Sequence, residues 1–480
     1  MTGNASPRPM IPDVLASRYA SGAMVRIWSP EGRIVLEREL WIAVMRAQRA
    51  EGVDIPEAAI TAYDAVKARV DLASIDERER ALRHDVKARI EEFCALAGYE
   101  QIHKGMTSRD LTDNVEQLQV RRSLIVLRDK GVAALAALAA LAHAHRDRPM
   151  VARTHHVPAQ PTTLGKRFAM FGEELLRGWE RLAALLQSYP LRGIKGAVGT
   201  RLDQVSLLGS TEAAERLERK IAGELGFSRV LDNVGQVYPR SLDYEVVGAL
   251  YHVGAGLADF ARAMRLMTGH ELASEGFGAG QVGSSAMPHK MNARSCERIN
   301  GFQTLLGGYL EMTARLAGDQ WNEGDVSDSV VRRVALPSAM FALDGALETF
   351  LTVLAEMEIY EAAIAAEVRR NLPFLASTTL LMAAVKRGAG REAMHEVIRD
   401  HSLAVARGLR DGSLNNNDLP QRLGRDDAFP LSLDEIGDLL DDPAAFLGAA
   451  PQQVDAFVRR VDEIKSRHPE AAQYKPEPLI

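Results

Sequence analysis

Residues 131–145 read GVAALAALAALAHAH. Leu135, Leu138 and Leu141 recur at every third position with alanine between them, a narrow apolar stripe that suits one helix packing closely on another. The surrounding sequence repeats this pattern. From about residue 109 the chain is written in long helical patterns with few breaks, the others lying near 162–189, 243–270, 296–318 and 328–360. Uncapped patterns longer than about 25 residues indicate a bundle or coiled coil rather than a compact α/β domain. Alternating runs of β-branched residues are nearly absent, and no repeat with a period of roughly 20–50 residues is visible. The expected fold is all-α. It divides into an N-terminal helical domain (1–108), a central long-helix bundle (109–360) and a C-terminal helical domain (361–480).

Outside the bundle the punctuation is clear. Residues 1–12 read as a loose arm, and SRYAS at 17–21 is polar. Ser29 and Pro30 make a cap and first-turn pair for a helix that places Ile34, Leu40, Trp41, Val44 and Met45 on roughly one face. A second helix, IDERERALRHDVKARIEEFCALAG, spans 75–98 and stops at Gly98. Beyond 361 the helices shorten, with breaks at RGAG, LNNND and DDAFP, and the last residues read as extended.

Composition narrows the function classes. The 480 residues are 46% hydrophobic and 25% charged, ordinary values for a soluble globular protein. A net charge of −6 offers no general attraction to nucleic acid or anionic membranes. An anionic ligand must therefore be held by a local cluster of Arg, Lys and helix N-termini. Two cysteines, Cys94 and Cys296, are too few for a disulfide scaffold or a cysteine metal site, and fit a reducing compartment. The first residues lack the apolar core of a signal peptide, and the alanine-rich run is shorter than a bilayer span. A cytoplasmic protein without membrane or nucleic-acid partners is expected.

Several motifs fail on inspection. EGFGAG follows no strand, so it is no dinucleotide fingerprint. His395 and Glu396 lack the second histidine of a zinc-protease helix, because position 399 is Arg. Four polar segments remain. Arg83, His84 and Asp85 sit in the charge-rich second helix, where a solvated face is the simplest reading. Thr107 and Ser108 precede a long helix, with Asp110 placed for a capping box; hydroxyls and free amides there can also hold a carboxylate. His155 and His156 lie in ARTHHVPAQPTT (152–163), a Pro-containing turn between two helices and an odd place for a packing histidine. An imidazole there suits proton transfer. Last comes GSSAMPHKMNARSCERI (283–299), in which two serines precede Lys290, Asn292, Arg294 and Arg298. Lys290 and the amides around Ser284 and Ser285 can stabilise a negative oxygen, as a serine alkoxide base requires.

That last segment resembles the signature loop of the fumarase/aspartase superfamily, whose members eliminate fumarate reversibly. SRYAS, RHDV, TSRDLTDN, RTHHVPAQPTTLGKR, GQVYPR, QWNEGDVSDSVVRR and LPFLASTTLLMAAVKRGAGREAMHE follow in the order expected of the adenylosuccinate lyase family. The resemblance covers nearly the whole chain. It implies a homotetramer built on the central bundles, active sites shared between subunits, succinyl-nucleotide substrates, and neither metal nor organic cofactor. Carried over position by position, it implies Ser284 as general base and His155 as general acid. Lys290 and Asn292 are implied as stabilisers of the carbanion, and His84 as an orienting histidine flanked by Arg83 and Asp85. Thr107 and Ser108 are implied contacts to the succinyl carboxylates. Arg18, Tyr19, Ser329 and Arg333 are implied nucleotide and phosphate contacts, with Gln236 and Arg298 as further anchors. Gly324 stands where many relatives have a substrate-contacting arginine. The loss of one charged hydrogen bond costs about 1.5–3 kcal/mol unless Arg332 or a neighbour replaces it. Argininosuccinate lyase, fumarase, aspartase and carboxymuconate cycloisomerase share the signature loop, but SRYAS and the Ser329/Arg333 pair suit a phosphate-bearing substrate.

Overall fold

The computed structural model describes residues 11–276, 287 and 289–477. Five long helices carry the architecture: Ser108–Ala144, Leu164–Ser188, Ser241–Gly269, Arg294–Leu316 and Ser329–Glu356. The alanine–leucine stretch sits inside the bundle, with Leu135 and Leu138 buried and Leu141 at its edge. Small residues between the leucines let neighbouring helices approach closely. The Ser329–Glu356 helix is the one described helix long and apolar enough to cross a membrane, yet 89% of its apolar window is buried by its neighbours. Its composition is that of a bundle core helix, surrounded on most sides.

The all-α reading holds, with helices at every long pattern. Ser29 caps Pro30–Ala50 by accepting the Gly32 N–H at 3.0 Å, and the expected apolar face of that helix is buried. The same apolar core runs continuously from Leu15 through the bundle to Ile464. Residues 380–436 gather around a separate small core that includes Leu380, Val405 and Ile436. The helix Ala450–Arg467 then returns to pack on the bundle through Val454, Phe457, Val461 and Ile464.

Two local expectations need correction. The single helix expected over 75–98 is two, Leu72–Leu82 and Asp85–Ala97. Arg83 adopts φ 52° between them, and the His84 Nδ1 accepts the Lys87 N–H at 3.3 Å as an N-cap. The helical charge pattern continues across a break it does not encode. The plain turn expected at 152–163 is a β-hairpin, Pro149–Thr154 paired antiparallel with Val157–Thr163 and bulged at Ala152/Arg153. Val151, Thr154, Val157, Thr162 and Thr163 favour the strand conformation, and a two-stranded unit tolerates Pro158 and Pro161.

Candidate active site

A cleft of about 340 Å³ opens where the Ser108–Ala144 and Ser329–Glu356 helices begin. Its walls carry Asp85, Ser108, Ser329 and Arg333, four of the residues singled out from sequence, together with Arg33, Arg109 and Gln119. Arg333 is exposed and has no ion pair among the described residues, so its guanidinium is available to an anion. Pro337, also in the wall, lies inside its helix and withholds the N–H that would bond the Arg333 carbonyl. Thr107 caps the long helix from outside. Its N–H donates to Asp110 at 2.8 Å, completing the anticipated acidic arm of the cap, while its buried hydroxyl has no hydrogen-bond partner among the described residues. The hydroxyls and the helix N-terminus together suit a carboxylate.

The cleft wall is braced by charge. Asp85 pairs with Arg89 at 2.9 Å, and Glu37 lies 2.9 Å from Arg89 and 3.3 Å from Arg33. Both guanidiniums meet Glu37 at ion-pair distance but off the hydrogen-bond angle. Burial pushes the Glu37 carboxyl up, against Arg89 and Arg33. Partial burial opposes ionisation of Asp85 as well, but Arg89 and the Val86 amide outweigh it and hold that carboxyl below its usual range. The charges thus run as a chain from Asp85 through Arg89 and Glu37 to Arg33.

Gln236 belongs to the loops beneath the same end of the bundle. Its N–H donates to the Glu323 carbonyl at 2.7 Å, and Arg192 ties the Gly235 carbonyl to Asp110. Gly324 adopts φ 147°, and a Cβ there would lie 3.2 Å from Gln236 Cβ and from Val237 Cγ2. The backbone is therefore shaped for glycine. Arg332 is not free to take the substrate contact that the resemblance implies for an arginine at position 324. It is 2% exposed and committed to Asp243 at 2.6 Å, Glu116 at 2.9 Å and the Tyr238 hydroxyl.

The remaining candidates lie elsewhere. His155 and His156 occupy the two turn positions of the hairpin, both exposed, at φ 51° and 64°. They border a second cleft of about 490 Å³ with Arg153, Lys166, Arg167 and His270. Two left-handed residues make the tight hairpin turn that matches strand twist, but Asn-Gly is the sequence that favours it. Histidine there is strained, and strain retained in an exposed turn points to a use for the side chain. Lys290 is exposed and Asn292 half-buried just before the Arg294–Leu316 helix. Ser284 lies outside the described residues. Between the two ends, the Tyr19 ring packs edge-on against Phe302 at 5.3 Å and under the Arg298 guanidinium at 5.3 Å, with Arg18 exposed beside it.

Helix length sets the separation of these groups. Ser108 starts a 37-residue helix whose far end feeds the His155 hairpin. At 1.5 Å per residue that helix spans about 55 Å. Within one chain, His155 and the Ser108/Arg333 cleft cannot reach one small substrate.

Sequence reading missed several positioning residues. The Glu275 carboxylate accepts the Ser295 N–H at 2.9 and 3.0 Å and the Cys296 N–H at 3.1 Å, so it caps the Arg294–Leu316 helix from twenty residues upstream. Nothing local in the sequence marks that contact. Arg33 and Arg109 were not singled out from sequence, and it is packing that turns them toward the cleft.

The chain is similar to known proteins along most of its length. A family model described as Lyase matches residues 22–305, and one described as Adenylosuccinate lyase C-terminus matches 373–457. The chain is 33% identical over 456 residues to adenylosuccinate lyase of Saccharomyces cerevisiae, covering 93% of each chain. It is 30% identical over 452 residues to that of Methanothermobacter thermautotrophicus, covering 91% of this chain and 96% of the other. Among solved structures, 3-carboxy-cis,cis-muconate lactonizing enzyme from Pseudomonas putida shares the fold with a TM-score of 0.79 at 22% identity, over 95% of this chain and 100% of that one. Fumarate lyase from Mesorhizobium sp. BNC1 does so with a TM-score of 0.76, also at 22% identity, over 94% and 100%. The matched relatives run the length of the bundle and the small C-terminal core alike, and the chain belongs to the adenylosuccinate lyase family.

Proposed function

We propose that the protein eliminates fumarate from adenylosuccinate, leaving AMP, and from SAICAR, leaving AICAR, in purine nucleotide biosynthesis in the cytoplasm. The observation that carries this reading is the convergence of Asp85, Ser108, Ser329 and Arg333 on one cleft, with hydroxyls at a helix N-terminus and an unpaired guanidinium. Such a cleft suits a ligand bearing both carboxylates and a phosphate.

The reaction needs a base, an acid and a sink for charge. Ser284, as alkoxide, removes the proton beside a succinyl carboxylate. The electron pair left on carbon is delocalised into that carboxylate, where Lys290 and Asn292 stabilise it. The pair then forms the C=C bond of fumarate while the C–N bond breaks, and His155 supplies the proton that the departing nitrogen takes. His84, its Nδ1 occupied by the Lys87 amide, presents its other ring nitrogen to orient the substrate. Arg83, Asp85, Thr107, Ser108 and Gln236 contact the substrate around it, and Arg18, Tyr19, Arg298, Ser329 and Arg333 anchor the nucleotide.

A homotetramer supplies what one chain lacks. The long helix separates the acid from the carboxylate cleft, so a second copy lying alongside brings His155 of one chain to Ser108 of another. The bundle also leaves Tyr244, Leu266, Leu305, Val330 and Val334 exposed, apolar surface suited to such contact. The test is fumarate release from adenylosuccinate by the wild type and by Ser284→Ala. Release by the wild type and a fall of at least about 10²-fold in the folded variant are expected. No release from either succinyl-nucleotide by the wild type would refute the reading.

A further inference from the structure

The segment after the last long helix is tied into the protein at a place the proposed chemistry does not use. Residues Ala471–Gln473 form a short turn of helix, and Tyr474–Glu477 run on across the bundle. The Tyr474 hydroxyl donates to Glu348 Oε1 at 2.5 Å, and the Glu477 N–H donates to Glu348 Oε2 at 2.6 Å. Glu348 is fully buried and shares Lys130 with the equally buried Asp344.

The other end of this network is the SRYAS turn. Asp344 accepts the Ser21 N–H at 2.6 Å, and the Glu477 carboxylate accepts the Gly22 N–H at 3.0 Å. The successive amides of Ser21 and Gly22, which follow Tyr19 after one intervening residue, are thus held by two carboxylates, Asp344 from the bundle core and Glu477 from the C-terminal strap. Tyr19 itself lies hard against the same helix turn: a Cβ on Gly345 would sit 2.8 Å from Tyr19 Cβ. Only glycine admits that approach. The charges explain why the parts depend on one another. Lys130 is one cation between two buried carboxylates, so Asp344 and Glu348 rely on the amide and phenol donors for the rest of their compensation. Burial and the bond to Glu348 push the Tyr474 phenol up, which keeps it a donor.

We infer that Glu477 and Tyr474 are positioning residues for the nucleotide side of the site, holding the Arg18–Tyr19 turn through Gly22 and the buried Lys130–Asp344–Glu348 cluster. The inference rests on the proposed role of Arg18 and Tyr19 in nucleotide binding. It assigns a function to a segment that neither touches the cleft nor carries a reactive group, and that covers Glu348 in the process.

The experiment compares Glu477→Ala, Glu477→Gln and Tyr474→Phe with wild type by steady-state kinetics on adenylosuccinate, thermal denaturation, and hydrogen exchange of the peptide spanning 17–28. Glu477→Ala should raise KM roughly tenfold with kcat within about twofold, the pattern of lost ground-state binding. Exchange at 20–24 should quicken while the rest of the bundle stays protected. Glu477→Gln should recover most of the KM, because its amide oxygen still accepts from Gly22. Tyr474→Phe should fall between them. An unmoved KM in Glu477→Ala would overturn the inference. So would a joint fall in kcat and thermal stability that Glu477→Gln fails to rescue, since that would mark the segment as only structural. Wild-type turnover separates this from the reading beneath it: an inactive wild type refutes the assigned reaction, whereas an active one with an unmoved variant KM refutes the strap alone.

Discussion

The two hairpin histidines allow stability and catalysis to be pulled apart at a single turn. His155 and His156 both occupy the left-handed region, at φ 51° and 64°. A residue with a Cβ pays roughly 1–2 kcal/mol there, less for asparagine, whose short side chain tolerates the conformation. Both rings are exposed, and the side-chain hydrogen bond that reaches the turn, Arg153 to the His156 carbonyl at 3.2 Å, ends on backbone and survives substitution. Packing therefore loses nothing when either becomes asparagine. His155→Asn and His156→Asn should each stabilise the fold by a few tenths to about 1 kcal/mol, a rise of about 1–2 °C in Tm for a chain of this size. Their kinetics should diverge. His155→Asn should lower kcat by about 10²–10⁴, the ordinary worth of a general acid, with KM little changed. His156→Asn should keep kcat within about threefold of wild type. Thermal melts and fumarate-release kinetics on the same preparations decide it. Full activity in His155→Asn would remove it from the reaction; full loss in His156→Asn would transfer the role. A fall in Tm in both variants would show that the rings make contacts the turn geometry does not explain, and would refute the strain argument itself.

Two further outcomes follow from the geometry. Gly324→Arg introduces the side chain that the family resemblance implies there but forces φ 147° on a residue with a Cβ 3.2 Å from Gln236 and Val237, so a loss of about 1–3 kcal/mol in thermal denaturation is expected, with no improvement in KM. His103, whose Nδ1 accepts the Trp41 indole N–H at 3.1 Å, is kept neutral chiefly by burial, which lowers its pKa from 6.5 to about 4. The unfolded chain takes up that proton first, so this contribution is fully present above pH 6.5 and fades as pH falls toward 4. Stability should drop by at most about 3 kcal/mol across that window, and His103→Gln should flatten the decline in melts run from pH 7 to pH 4.

Some of this was legible before any coordinates. Helix periodicity, caps and the glycine stop at Gly98 are local, and the structure places helices where they point. The break at Arg83 was not legible, because charge alternates through it as it would along one continuous helix face. The hairpin was hidden for a related reason: prolines and paired histidines read as a turn, while its few β-branched residues fall short of a strand run. The candidate residues were legible as a set of polar interruptions. Their braces were not. Glu275 caps a helix across an intervening loop, and Arg33 and Arg109 enter the cleft only because five separate helices meet there.

One global feature follows from a number any helix supplies. Residues 108 and 155 are close in sequence, and a reader of motifs places them in one site. The pattern between them, however, is continuous helix, and a continuous helix converts sequence into distance at a fixed 1.5 Å per residue. With 37 residues in that helix, the His155 hairpin and the Ser108 cleft lie at opposite ends of about 55 Å of helix in the same chain. Under the proposed mechanism, both ends of the chemistry come within reach only where two copies lie side by side. The alanine–leucine repeat at 131–145 therefore does two things at once. Its small residues draw the bundle helices together, and under the proposed mechanism its unbroken length calls for a second chain to finish the site.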